Sequence, residues 1–165
     1  MKVEPLNKNH DRAAFDCGNE ALNTYLQKTA RQHAERNLSR TFVLTDADPS
    51  IIISYATLIS CEVEPAEIPA SWAERYPHRF PAARLARLAT DSRFVRRGYG
   101  THLLVDMLWR VAEAGRNVGF VGLFVDAKTD ELADWYAAFG FVRLTQRPLT
   151  LFMPLETIAV AWKAE

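Results

Sequence analysis

A chain of 165 residues, 48% of them hydrophobic, is long enough to bury one full core and too short for two comfortable domains, so one domain over residues 1–165 is expected. Its 20 basic residues balance 20 acidic ones, and a formal charge of zero argues against a generic nucleic-acid binder. Cys17 and Cys61 exclude a disulfide framework and fit no zinc spacing, the polar start Met1-Lys2-Val3-Glu4-Pro5 has no leader character, and no apolar run approaches the ~18 residues of a membrane span, so a cytoplasmic protein with no membrane partner and no metal is expected.

In chain order, residues 2–6 read as a short strand and 7–17 as a loop. Gly18 and Asn19 open a helix to about Glu35, in which Leu22, Tyr25, Leu26, Ala30 and His33 or Ala34 form one apolar stripe. Residues 40–45 and 51–63 read as a hairpin around the turn 46–50. Residues 64–81 hold Pro65, Pro69, Pro77 and Pro81 among Trp72, Tyr76 and Phe80, which suits an ordered excursion with aromatics to bury. A strand over 83–89 leads through Thr90-Asp91-Ser92-Arg93 to the next helix, whose Leu103, Leu104, Met107, Leu108 and Val111 form a stripe that should end near Gly115 as a C-cap. Residues 120–125 form a near-continuous apolar run, as a central buried strand does. Thr129 caps a helix with Asp130 and Glu131 in its first turn and Gly140 as its stop; strands over 141–144 and 149–153 follow, and 158–165 is a tail or short helix.

The segment Val95-Arg96-Arg97-Gly98-Tyr99-Gly100 is the most informative. Glycines let backbone approach an anion, and the first turn of the following helix supplies unpaired amides and a positive dipole end, which together make a pyrophosphate cradle. The same residues also suit a tight turn with no ligand. Farther on, Asp134-Trp135-Tyr136-Ala137-Ala138-Phe139-Gly140-Phe141 is a helix ending in glycine before a strand. These two segments, in an α/β (α+β) order of elements, resemble the acyl-CoA-binding core of the GCN5-related N-acetyltransferase family. Phe15-Asp16-Cys17-Gly18-Asn19-Glu20-Ala21-Leu22-Asn23 and Leu85-Ala86-Arg87-Leu88-Ala89-Thr90-Asp91 are similar to that family's toxin branch. The resemblance implies a mixed, mostly antiparallel central sheet flanked by helices, acetyl-CoA as co-substrate, the α-amino group of aminoacyl-tRNA as acceptor, a ribbon-helix-helix antitoxin and a homodimer. It departs at Val95, where glutamine or arginine is common, and at Thr129, where many members carry asparagine; a cradle of main-chain amides tolerates the first change, and either polar side chain could serve at the second.

Acetyl transfer from a thioester needs a bound donor, a neutral amine, a polarised carbonyl and a proton for the thiolate. The amides of Arg96, Arg97, Gly98, Tyr99, Gly100 and Thr101 are assigned to the pyrophosphate, with Arg96 or Arg97 side chains in support. The resemblance gives the main chain around Leu88, Ala89 and Thr90 to the pantetheine arm, Thr129 to the cofactor and Tyr136 to the proton; without it, Tyr136 is a packed helix aromatic. Arginines cluster at 75, 79, 84, 87, 93, 96 and 97, with a looser basic group at Lys28, Arg31, Arg36 and Arg40, either as a solvated surface or as a rim for a polyanion; Arg84, Arg87 and Arg93 are assigned to RNA. The strand over 85–89 offers Arg87 and no carboxylate base, which favours an α-amine of pKa near 7.7–8.0 over a lysine near 10.4. Glu62 is either a base acting through water or a surface glutamate, and His33, His78 and His102 are given no role. The expected activity is therefore N-acetylation of aminoacyl-tRNA by a translation-blocking toxin; a small-molecule or peptide amine acetyltransferase and an inactive partner-binding module are the alternatives.

Overall fold

The computed structural model describes residues 1–76 and 78–163; Pro77 of the proline-rich excursion and residues 164–165 of the expected tail lie outside the described residues. Strands β1 (Lys2–Pro5), β2 (Arg40–Thr45), β3 (Ser54–Val63), β4 (Phe80–Thr90), β5 (Gly122–Asp126), β6 (Val142–Arg143) and β7 (Thr150–Pro154) form one seven-stranded sheet in the order β1-β2-β3-β4-β5-β7-β6. Helices are α1 (Glu20–Thr24), α2 (Ala30–Glu35), α3 (Ala70–Ala73), α4 (Tyr99–Asn117), α5 (Asp130–Ala138) and α6 (Leu155–Lys163). The chain divides into two compact units, residues 1–59 with 86–107 and residues 60–85 with 108–165. Among the described residues, no helix is long and apolar enough to cross a membrane.

In the first unit, β1 and β2 pair antiparallel from Lys2↔Thr45 to Pro5↔Phe42, and β2 and β3 from Arg40↔Leu58 to Leu44↔Ser54. The expected strand over 51–63 begins only at Ser54, because Ile51 makes a single bridge to Asp11 instead of a ladder. The expected single helix over 18–35 is also interrupted. Asn19 caps α1, its side chain accepting from the Leu22 amide at 3.1 Å, but Tyr25–Thr29 is a π turn in which the Ala30 amide donates to the Tyr25 carbonyl. That widened turn brings Tyr25 and Ala30, five residues apart, to one buried side, where they join Phe15, Leu26, Val43, Ile52, Tyr55 and Ala89.

In the second unit, β4 and β5 run parallel from Ala83↔Leu123 to Leu85↔Val125, while β7 pairs antiparallel with β5 and with β6. The excursion is ordered as expected: Trp72 and Tyr76 pack against a core of Val63, Ile68, Phe80, Ala82, Phe124, Leu144 and Phe152, with the Trp72 and Phe152 ring centroids 5.2 Å apart. The stripe of α4 is buried at Leu103, Leu104, Met107 and Val111. Gly115 does not end that helix, which continues to Asn117; a Cβ at 115 would lie 2.7 Å from a Leu155 methyl, so close approach of the α6 start accounts for the glycine.

Candidate active site

The cradle begins at Asp91, which is 1% exposed. Its carboxylate caps the short 3₁₀ turn Ser92–Phe94 by accepting from the Arg93 amide at 2.9 Å, and it accepts from the Asp16 amide at 3.1 Å. The Arg93 guanidinium closes on the same group through Nε at 2.9 Å and Nη2 at 3.0 Å. Burial alone would raise this carboxyl's pKa, but the Arg93 side chain, the two amides and the Arg93 charge together hold it below the usual range. The Ser92 amide donates to the Asp16 carbonyl at 2.9 Å, so the loop over 15–19 and the approach to the cradle are tied at two points.

Beyond this latch the backbone turns at Arg96 (φ 60°) and Gly98 (φ 82°). A Cβ at Gly98 would touch nothing within 4 Å, so the glycine serves the left-handed dihedral and leaves the space above the turn open. The Gly98 carbonyl accepts from the His102 amide at 3.0 Å, which makes it the first helical hydrogen bond and leaves the Tyr99, Gly100 and Thr101 amides without partners from within α4. Residues 95–98 are exposed. Among the described residues, no hydrogen bond or ion pair engages the Arg96 or Arg97 side chain; Arg97 only overlies the Phe94 ring, 5.9 Å from its centroid.

Among the described residues, the strand leading into the cradle has an open edge. The ladder of β4 with β5 ends at Leu85↔Val125, whereas β4 continues to Thr90. β3 is the neighbour on the other side, and the Asp91 amide donates that way, to the Ile53 carbonyl at 2.9 Å. Since successive residues of a strand direct their amide and carbonyl groups to opposite edges, Leu88 and Thr90 present theirs to the side without a ladder. The Thr90 hydroxyl itself is held by Ser54 Oγ at 2.7 Å.

The three arginines assigned to RNA differ in their engagements. Arg84 pairs with Asp126 at 2.5 Å and Arg93 with Asp91, while Arg87 lies on the Tyr25 ring, its guanidinium carbon 3.5 Å from the centroid. Tyr25 is fixed beneath it by hydrogen bonds with Ser39 Oγ (3.2 Å) and His33 Nδ1 (3.4 Å). This Tyr25–Arg87 stack was not legible in the sequence, because the π turn that delivers Tyr25 has no marker in the helical stripe.

In the second unit, Thr129 caps α5 as expected, its hydroxyl oxygen accepting from the Leu132 amide at 3.2 Å. Arg143 braces the same helix, donating to Asp130 at 2.9 Å and Asp134 at 2.7 Å. Tyr136 is 6% exposed, set edge-on to Trp135 and Phe141 with centroids 5.0 and 5.7 Å away, and burial pushes its phenol well above the usual range. It is therefore a protonated group at every physiological pH. Glu62 is 72% exposed and 3.6 Å from Arg79, an ordinary surface ion pair, and His78 and His102 are exposed. Among the described residues, no three His, Cys, Asp or Glu side chains gather as a metal site.

No protein-family model matches the sequence. Two relatives do: a probable toxin TacT from Sinorhizobium fredii (strain NBRC 101917 / NGR234), 31% identical over 94% of this chain and 92% of that protein, and a tRNA-acetylating toxin from Mycobacterium tuberculosis, 34% identical over 87% and 85%. Among solved structures, AtaT complexed with acetyl-methionyl-tRNAfMet superposes with a TM-score of 0.89 at 29% identity over 98% of both chains. A tyrosine-to-phenylalanine variant of KacT reaches 0.90 at 28% over 97% and 98%, and AtaTR bound with AcCoA 0.82 at 27% over 98% and 97%. With that identity over most of its length and the same mixed fold, the chain belongs to the TacT-like, tRNA-acetylating toxin branch of the GCN5-related N-acetyltransferases.

Proposed function

We propose that this protein is an acetyl-CoA-dependent N-acetyltransferase acting on the α-amino group of aminoacyl-tRNA, the translation-blocking toxin of a toxin–antitoxin pair. The observation that carries the reading is one run of main chain: the open edge at Leu88 and Thr90 passes through Asp91 into the positive-φ turn and unpaired first turn of α4. Such a run fits a long polar thioester arm ending in a pyrophosphate. AtaT is seen with acetyl-methionyl-tRNA, with AcCoA and with the C-terminus of its antitoxin AtaR, which supports the same acceptor, donor and kind of partner here. A charged-tRNA acceptor supports a cytoplasmic location.

Acetyl-CoA supplies an activated acetyl thioester. The Arg96 to Thr101 amides hold the pyrophosphate, with the Arg96 and Arg97 side chains as counter-charges, and Leu88, Ala89 and Thr90 carry the pantetheine arm as an added strand, an amide there polarising the carbonyl. Thr129, its oxygen occupied by the cap, keeps an O–H to donate toward the cofactor. The neutral amine forms the new C–N bond as the C–S bond breaks; Tyr136 donates its proton to sulfur and is restored by the proton that nitrogen sheds. Of Arg84, Arg87 and Arg93, only Arg87 can receive an RNA phosphate without first giving up a carboxylate.

The test is purified protein with labelled acetyl-CoA and total aminoacyl-tRNA, beside uncharged tRNA and a Tyr136→Phe control. Label confined to charged tRNA and reduced in the variant is the expected result; acetyl-CoA binding with no label on RNA would move the acceptor to a small amine or peptide.

A further inference from the structure

Arg87 stands apart from the other arginines. Among the described arginines, only Arg36, Arg87, Arg96 and Arg97 have no hydrogen bond or ion pair through the side chain, and of these only Arg87 is not exposed. A guanidinium partly withdrawn from water with no acceptor on its N–H edge is an uncompensated charge, and the Tyr25 face beneath it offsets only part of the lost hydration. Its setting is stiff. Tyr25 is 6% exposed, opens the π turn and is held at its hydroxyl by Ser39 and His33, so the guanidinium rests on a fixed ring with its N–H donors unused. The stack lines a shallow, open depression together with Glu20, Ala21, Thr24 and Thr29, so an extended chain can reach it from solvent. Arg87 also immediately precedes Leu88 on the strand whose open edge the reading above gives to the acyl arm.

We infer that the Arg87–Tyr25 stack is an anion site that receives a phosphodiester of the single-stranded 3′ end of the charged tRNA, positioning the amine for attack; this rests on the aminoacyl-tRNA reading above. Arginine suits the task because its planar fork grips two phosphate oxygens while its face stays on the ring. The site reads the chain's fixed anion, not the amino acid, so it serves any aminoacyl group of the accepted tRNA.

The experiment compares acetylation of one amino acid on two carriers, full-length tRNA and 3′-O-aminoacyl-adenosine, which has no phosphodiester, using wild type, Arg87→Gln and Arg87→Lys. Arg87→Gln should lower kcat/KM for aminoacyl-tRNA at least tenfold more than for aminoacyl-adenosine, through KM rather than kcat, and should reduce the slope of log KM against log salt by about 0.7 for each lost phosphate contact. Arg87→Lys should recover the slope but only part of the KM, since an ammonium neither forks nor stacks, and it carries the comparison if the glutamine variant does not fold. Equal losses on both carriers, or no loss on tRNA, would overturn the assignment. Wild type that acetylates neither carrier while binding acetyl-CoA would instead refute the acceptor reading, and the phosphate site with it.

Discussion

Replacing Asp91 by alanine separates two roles that its carboxylate combines. It accepts from two backbone amides, Arg93 at 2.9 Å and Asp16 at 3.1 Å, and it pairs bidentately with an Arg93 side chain that is itself 54% exposed. Hydrogen bonds to a charged acceptor contribute about 1.5–3 kcal/mol each, whereas an ion pair whose cation is half in water contributes about 0–1 kcal/mol. The amides therefore win, and Asp91→Ala should cost about 3–4 kcal/mol against ~1 kcal/mol or less for Arg93→Ala. For a chain of this size, about 2–4 °C per kcal/mol converts these to roughly 6–16 °C and ~4 °C or less of Tm. Thermal melts of both variants decide it, with acetyl-CoA titrations alongside, because the released turn should also raise the ligand's Kd several-fold. The carboxyl's folded pKa is depressed, so its stabilisation is fully present above the unfolded value near 3.9 and is lost as pH falls through the folded one. The gap between wild type and Asp91→Ala should accordingly be constant from pH 5 to 8 and close below about pH 4. Equal Tm losses in the two variants would refute the ranking and make the ion pair the dominant element.

Four further outcomes follow from the geometry. Tyr136→Phe should lower kcat by about 10²–10⁴ with little change in Tm, read by steady-state kinetics and melting. The pH profile of kcat/KM should rise to a plateau near the α-amine's pKa of about 7.7–8.0 and show no falling limb up to pH 9, because burial holds the Tyr136 phenol neutral there; a falling limb below pH 9 would sink this assignment. Gly98→Ala should cost about 1–2 kcal/mol, from the +82° dihedral alone, but weaken acetyl-CoA binding by more than that in calorimetry. Gly122→Ala drives its new Cβ into the Met153 carbonyl and the Phe152 ring, and should destabilise by at least about 3 kcal/mol in urea melts.

Much of this is legible in the sequence because each local device carries its own chemical marker. Asn19 and Thr129 announce helix starts and prove to be caps, and Gly98 of the cradle marks a backbone turn at positive φ. What stays hidden depends on partners distant in the chain. The π turn at Tyr25–Thr29 lies in a stripe that scans as a regular helix, and only its tertiary neighbours select the wider turn. Gly115 imitates a C-cap because a glycine that admits Leu155 looks, from sequence, the same as one that ends a helix. Likewise the clustering of Arg84, Arg87 and Arg93 says nothing of engagement: two meet carboxylates, and the third meets a ring.

The division of labour along β4 follows from strand geometry. Odd-numbered side chains Leu85 and Ala89 are buried and Arg87 lies on Tyr25, while the main-chain groups of Leu88 and Thr90 face the edge that β5 leaves open. One strand can thus hold an acceptor through its side chains and a donor through its backbone without competition between them. A guanidinium at position 87 has no lone pair to accept a proton, so this strand cannot supply a general base. Such a strand favours an amine that arrives already neutral, which an α-amine does in part at physiological pH and a lysine does not. The strand that carries the proposed phosphate site therefore also favours one class of amine, because it offers a permanent cation and no carboxylate to deprotonate a lysine.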